Sequence, residues 1–108
     1  WEFPGGKKEK IEAIEQTIIR EINEELDITV SVDHNLINFH HSYSHTRLHF
    51  QVFLCNLIEG TPKPLASQEI KWVLPNDLLN YPFPAANSKI IQALMEYLDE
   101  TRLNEFKD

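Results

Sequence analysis

The sequence predicts an α+β fold, mixed strands flanked by two helices, on three observations. From Ala13 to Leu26 the apolar residues Ile14, Ile18, Ile22 and Leu26 recur every four positions, winding one apolar stripe along a helix. Short runs of strand-forming residues follow, separated by turn formers, as far as Leu74. Near the end, Ile90, Ile91, Leu94 and Leu98 mark a second amphipathic helix behind a capping Asn87 or Ser88.

In chain order, Trp1 to Phe3 reads as the end of a strand, and Pro4-Gly5-Gly6 as a turn whose glycines allow close backbone approach. Lys7 to Lys10 is a charged loop, and the first helix follows with Ile19 beside its stripe. Asp27 ends that helix. Ile28 to Val32 alternates as a half-buried strand, Asp33-His34-Asn35 turns the chain, and Leu36 to Tyr43 is a second strand. Ser44-His45-Thr46 is a hairpin tip, with Leu48 to Leu57 the long return strand. Gly60-Thr61-Pro62-Lys63-Pro64 is a loop. Ile70 to Leu74 reads as a short strand, Pro75-Asn76-Asp77 as a turn or single helical turn, and Tyr81-Pro82-Phe83-Pro84 as rigid connector. The polar tail from Thr101 is expected to fray. No repeat, linker or second domain interrupts residues 1–108, which read as one domain.

The composition bounds the function. A hydrophobic content of 42% with 25% charged residues over 108 positions suits one small globular domain. The net charge is −7, from 17 acidic against 10 basic residues, which argues against a surface that grips nucleic acid along its whole length. It does not exclude a nucleotide, because a bound divalent cation reverses the local sign. Cys55 is the only cysteine, so there is neither an internal disulfide nor a Cys-rich zinc site, and a reducing, cytoplasmic setting fits. No apolar run approaches the ~20 residues needed to cross a bilayer, and no signal-peptide pattern is visible.

The chemistry concentrates in Arg20-Glu21-Ile22-Asn23-Glu24-Glu25. On a helix Glu21, Glu24 and Glu25 share one face within a single turn. At ~5.5 Å and an effective dielectric of ~20, each like-charged pair costs roughly 3 kcal/mol, less where water screens it. Such a face is either solvated and salt-bridged or holds a cation.

Spacing favours the cation. Gly6, five residues, Glu12, seven residues, then Arg20-Glu21-Ile22-Asn23-Glu24-Glu25-Leu26-Asp27-Ile28 resembles the Nudix box, G-x5-E-x7-R-E-U-x-E-E-x-G-U with U apolar. The one departure is Asp27 in place of the last Gly, whose left-handed helix terminus Asp tolerates better than most residues. The resemblance implies a Nudix-type α/β/α sandwich with a further strand ahead of Trp1. It also implies a hydrolase that uses Mg²⁺, or alternatively Mn²⁺, to attack a diphosphate. Carried over by position, Glu21, Glu24 and Glu25 would be ligands with the Gly5 carbonyl beside them. Glu12 and Arg20 would complete the catalytic set by pairing and bracing the loop against the helix.

Trp1-Glu2-Phe3-Pro4-Gly5-Gly6-Lys7 and Tyr81-Pro82-Phe83-Pro84-Ala85-Ala86-Asn87 resemble the MutT branch, which hydrolyses oxidised guanine nucleotides. That likeness implies a small-molecule nucleoside triphosphate substrate, cleaved to monophosphate and pyrophosphate. It gives Asn87 the purine edge to read, and an amide both donates and accepts as that edge requires. Asn87 as a plain helix cap, and Phe3 as core rather than base-pocket lining, are the alternatives. Gly6 and His45 are the remaining candidate substrate contacts. Nothing in the sequence assigns an oligomeric state, and no membrane contact is expected.

Two features depart from this pattern. Many relatives carry Glu-x-Gln before the Trp of the penultimate strand, whereas Ala66-Ser67-Gln68-Glu69-Ile70-Lys71-Trp72 puts Ala66 in the place of that Glu. Glu69 is near, yet three residues of extended chain move a side chain far. Tyr43-Ser44-His45, meanwhile, is similar to the Phe-Ser-His loop of the Nudix-like C-terminal domain of MutY adenine glycosylases. The alternative function is therefore a non-catalytic module recognising 8-oxoguanine in DNA, with Lys7, Lys8, Lys10 and Arg47 touching phosphates. His40, His41, His45 and His49 invite a zinc reading, but their spacing defines no tetrahedral set, and a solvated hairpin is the preferred reading.

Overall fold

The computed structural model describes residues 1–9 and 11–105, excepting the side chains of residues 103–105. In chain order it contains α1 (Ile14–Leu26), β1 (Thr29–Tyr43), β2 (Thr46–Glu59), a 3₁₀ helix (Pro75–Asn80) and α2 (Asn87–Glu105). The class is α+β, as expected, and the described strands form one antiparallel pair, β1 with β2. Lys10, part of the expected phosphate-facing patch, lies outside the described residues.

The hairpin turns at Ser44-His45, where the tip was expected, and pairs Phe39 with Phe50 and His40 with His49 across the strands. Successive side chains alternate between faces, so the phenylalanines are half-buried while the histidines stay exposed. Three strand expectations change. Asp33-His34-Asn35 makes no turn, and β1 runs straight through it. Asn35 instead donates its side-chain amide to the Val52 carbonyl at 3.0 Å and to Asn38 Oδ1 at 3.0 Å, so cross-strand pairing outweighs a local turn preference. Residues 70–74 form no strand, because no neighbouring strand among the described residues offers them a ladder; Trp72 is 77% and Leu74 72% exposed. Trp1 to Phe3 is likewise irregular rather than a strand end.

Contacts divide the chain into two units. One comprises Phe3–His34 and Leu54–Trp72. Its core is Ile22, Ile28 and Val30, with Ile18 and Leu26 packed against them, which is the predicted α1 stripe continued into the first residues of β1. The other comprises Trp1–Glu2, Asn35–Phe53 and the residues from Val73 onward. There α2 packs against the 3₁₀ helix, burying Leu78, Ala86, Ile90 and Ile91. The 3₁₀ helix answers the expected helical turn, with Pro75 at its start, where a missing N–H costs nothing. Helix α2 continues to Glu105, so residues 101–105 are helical rather than a frayed tail.

Candidate active site

Helix α1 begins one residue after Ala13, whose backbone N–H donates to Gln16 Oε1 at 3.1 Å, the Gln arm of a capping box. It ends at Asp27, which takes the left-handed conformation (φ 57°, ψ 38°) and donates its N–H to the Asn23 carbonyl at 2.9 Å. Asp27 is the only non-glycine residue with positive φ among the described residues. The expected use of this position is therefore met, with Asp doing what Gly does at a helix terminus.

Nearly two turns before the helix ends at Leu26, Arg20 gathers the acids. Its Nε donates to Glu12 Oε2 at 2.9 Å and its Nη2 to Glu12 Oε1 at 2.7 Å, a two-pronged guanidinium–carboxylate pair. Its Nη1 donates to Glu21 Oε1 at 2.9 Å and to Glu24 Oε2 at 3.3 Å, and its Nη2 also reaches the Lys7 carbonyl at 3.2 Å. Arg20 therefore ties the loop before the helix to the helix itself. The Arg20 hydrogen bonds, then the Glu9 N–H at 2.9 Å, depress the Glu12 carboxyl to a pKa of about 2. The same pairing with Glu12 raises the Arg20 pKa. Glu12 is thus ionised throughout the neutral range.

Two glycines shape the other side. A Cβ on Gly6 would overlap the Glu21 carboxylate, so only a glycine lets that acid lie against the turn. The Gly5 N–H donates to Glu25 Oε2 at 3.3 Å. Glu21 and Glu24 accordingly meet through Arg20, while Glu25 reaches the Pro4-Gly5-Gly6 turn. Among the described residues, no group of three or more His, Cys, Asp or Glu side chains converges as a metal-binding set. The donor chemistry still suits a hard divalent cation: carboxylates on one helical face, with Glu12, Glu21 and Glu24 sharing a single guanidinium and leaving negative charge in excess.

The remaining candidates are less tightly held. Phe3 is half-buried in the unit that carries α1. Asn87 belongs to the other unit and is 9% exposed at the start of α2; its backbone N–H donates to the Pro84 carbonyl at 2.9 Å, while its side-chain amide makes no hydrogen bond among the described residues and so forms no cap. His45 is exposed at the hairpin tip. Of the four hairpin histidines only His40 and His49 meet, as rings stacked at 4.5 Å. Partial desolvation, then the charges of Arg47 and His49, holds His40 below the usual imidazole range. Ala66 and Glu69 lie in an exposed bend where Ser67 Oγ donates to the Glu69 carbonyl at 3.3 Å.

Sequence reasoning missed Thr17. It is 3% exposed, and its hydroxyl donates to Glu12 Oε1 at 3.1 Å, supporting the carboxylate that Arg20 grips. The available signal was a hydroxyl lying between Ile14 and Ile18, beside an otherwise apolar stripe.

Comparison with known proteins identifies the family. Residues 1–93 match the family described as NUDIX domain. The chain is 30% identical to the CTP pyrophosphohydrolase of Escherichia coli K12 over 88% of its own length and 70% of that protein's. It is 35% identical to the 8-oxo-dGTP diphosphatase of Haemophilus influenzae, over 87% of this chain and 69% of the relative. The solution structure of the E. coli ORF135 protein superposes with a TM-score of 0.82 at 30% identity, covering 89% of this chain and 69% of that one. A box matched at all but one position, an acidic helix braced to a glycine turn and these likenesses together make the chain a member of the Nudix family, a MutT-like Nudix hydrolase.

Proposed function

We propose that residues 1–108 belong to one Nudix domain that hydrolyses nucleoside triphosphates to the monophosphate and pyrophosphate, with Mg²⁺ (or Mn²⁺) as cofactor and oxidised purine nucleotides as the preferred class. The observation that carries the reading is the arrangement around Arg20, which ties three box acids to the helix and loop while Glu25 reaches Gly5. Glu21, Glu24 and Glu25 would hold the cation, with the Gly5 carbonyl beside them. When bound, a divalent cation polarises a phosphoryl oxygen and lowers the pKa of a coordinated water.

The protein's own part is positioning. Arg20 and Glu12 fix the helix against the Lys7 loop, and the bare Gly6 leaves room for the Glu21 carboxylate and for a phosphate. Glu12 stays ionised and locked to Arg20, so it serves as an anchor and not as the proton acceptor. For the base, the Asn87 side-chain amide, which makes no hydrogen bond among the described residues, is left open for an edge-reading role. Phe3 offers a ring for stacking and His45 a further contact.

A second substrate reading has its own support, because one relative is named a CTP pyrophosphohydrolase. The non-catalytic damage-recognition reading is set aside, since the relatives are named as a pyrophosphohydrolase and a diphosphatase. The deciding experiment is pyrophosphate release with Mg²⁺ from 8-oxo-dGTP, dGTP and CTP in parallel, using wild type and Glu25→Gln. Release from 8-oxo-dGTP at the highest kcat/KM, lost in Glu25→Gln, is the expected result. Preference for CTP shifts the substrate class to pyrimidines, and no release from any of the three ends the proposal.

A further inference from the structure

The last turn of α1 is a weak piece of helix. It carries Glu24 and Glu25 at the negative end of the helix dipole, with no basic residue of its own, and Asp27 adds a third acid directly after it. Its final carbonyls also lack partners within the helix. Both deficits are met by one segment far along the chain. The Lys63 N–H donates to the Leu26 carbonyl at 2.9 Å, the Leu65 N–H donates to the Glu25 carbonyl at 3.1 Å, and Lys63 Nζ lies 3.4 Å from Asp27 Oδ2.

The sequence of this segment explains why it docks. In Thr61-Pro62-Lys63-Pro64-Leu65 the prolines have no N–H, and each holds the residue before it extended. Of Pro62 to Leu65, only Lys63 and Leu65 have backbone donors, and both reach α1, the Leu65 N–H being shared with the Lys63 carbonyl at 2.9 Å. Gly60 begins the approach with φ +101°, and a Cβ there would stand 3.0 Å from the Asp27 carbonyl oxygen. The segment is stiff before it binds, so little chain entropy is lost on docking.

We propose that Pro62–Leu65 is a strap that positions Glu24 and Glu25 for cation binding, with Lys63 as its charged contact and its two backbone N–H groups as the principal hold. The role rests on the cation-binding reading above. The Lys63–Asp27 pair is exposed on both sides, at 63% and 52%, so the backbone bonds carry more of the effect than the charge.

The test is Mn²⁺ binding followed by electron paramagnetic resonance on wild type, Glu25→Gln, the double variant Pro62→Gly/Pro64→Gly, Lys63→Met and Lys63→Arg, with thermal melts of each. The expected result is a Kd for Mn²⁺ raised ~10-fold in the double glycine variant. Lys63→Met should raise it about twofold, with Lys63→Arg returning it toward wild type. In turnover, half-saturation by the cation should move while the nucleotide KM does not. Wild-type Mn²⁺ affinity in the strap variants that fold, Lys63→Met included, overturns the positioning role while leaving the cation site intact. Equal affinity in wild type and Glu25→Gln overturns the cation reading itself, and the strap's role with it.

Discussion

Arg20 holds Glu12 by two parallel hydrogen bonds, Nε to Oε2 at 2.9 Å and Nη2 to Oε1 at 2.7 Å, across eight positions of sequence. A lysine cannot reproduce that fork, because its ammonium is a single point charge. Arg20→Lys should therefore lower kcat/KM by ~10–100-fold, the range typical of residues that orient a site without touching substrate. Steady-state kinetics with circular dichroism on the same sample would check it, and wild-type kcat/KM would contradict it.

The depressed Glu12 carboxyl makes stability depend on pH in a definite direction. Its pKa falls from 4.5 to about 2 on folding, so its contribution is complete above pH 4.5 and is lost as pH drops toward about 2. The urea midpoint should decline across that window in wild type. Glu12→Gln should start lower at neutral pH and decline less steeply.

At Gly6 an added methyl group must share space with the Glu21 carboxylate. Gly6→Ala should push that flexible side chain aside, costing ~10-fold or more in activity while the fold survives. Kinetics alongside a thermal melt separate the two effects: an active Gly6→Ala would show that the Glu21 position is unimportant.

Asp27 pays a conformational cost at φ 57° that glycine does not. Asp27→Gly should stabilise the protein by up to about 1 kcal/mol, reduced by loss of the exposed Lys63 contact. Chemical denaturation measures this directly, and a marked destabilisation would mean the side chain matters more than the backbone.

Ile22 sits at the centre of the α1 core at 8% exposure. Ile22→Ala should cost about 2–4 kcal/mol in denaturant unfolding, through lost burial and the cavity left behind.

Much of this was legible in the sequence, and the elements show why. The four-residue recurrence of Ile14, Ile18, Ile22 and Leu26 located α1, and Asp27 its end, because helix bonds and caps connect near neighbours. The hairpin tip at Ser44-His45 was readable for the same reason. Helical spacing also put Glu21, Glu24 and Glu25 on one face, while the chemistry expected of them came from the resemblance to the Nudix box.

What only the tertiary structure decided is everything that depends on a distant partner. Asp33-His34-Asn35 stays extended because β2 lies alongside, and residues 70–74 form no strand because a ladder cannot be built alone. Arg20's simultaneous hold on Glu12, Glu21, Glu24 and the Lys7 carbonyl, and the docking of Lys63 and Leu65 on the end of α1, follow from where separate segments meet. A local periodicity records which face a side chain occupies. It does not record which oxygen that side chain will find there, since that choice is made by segments folded in from elsewhere.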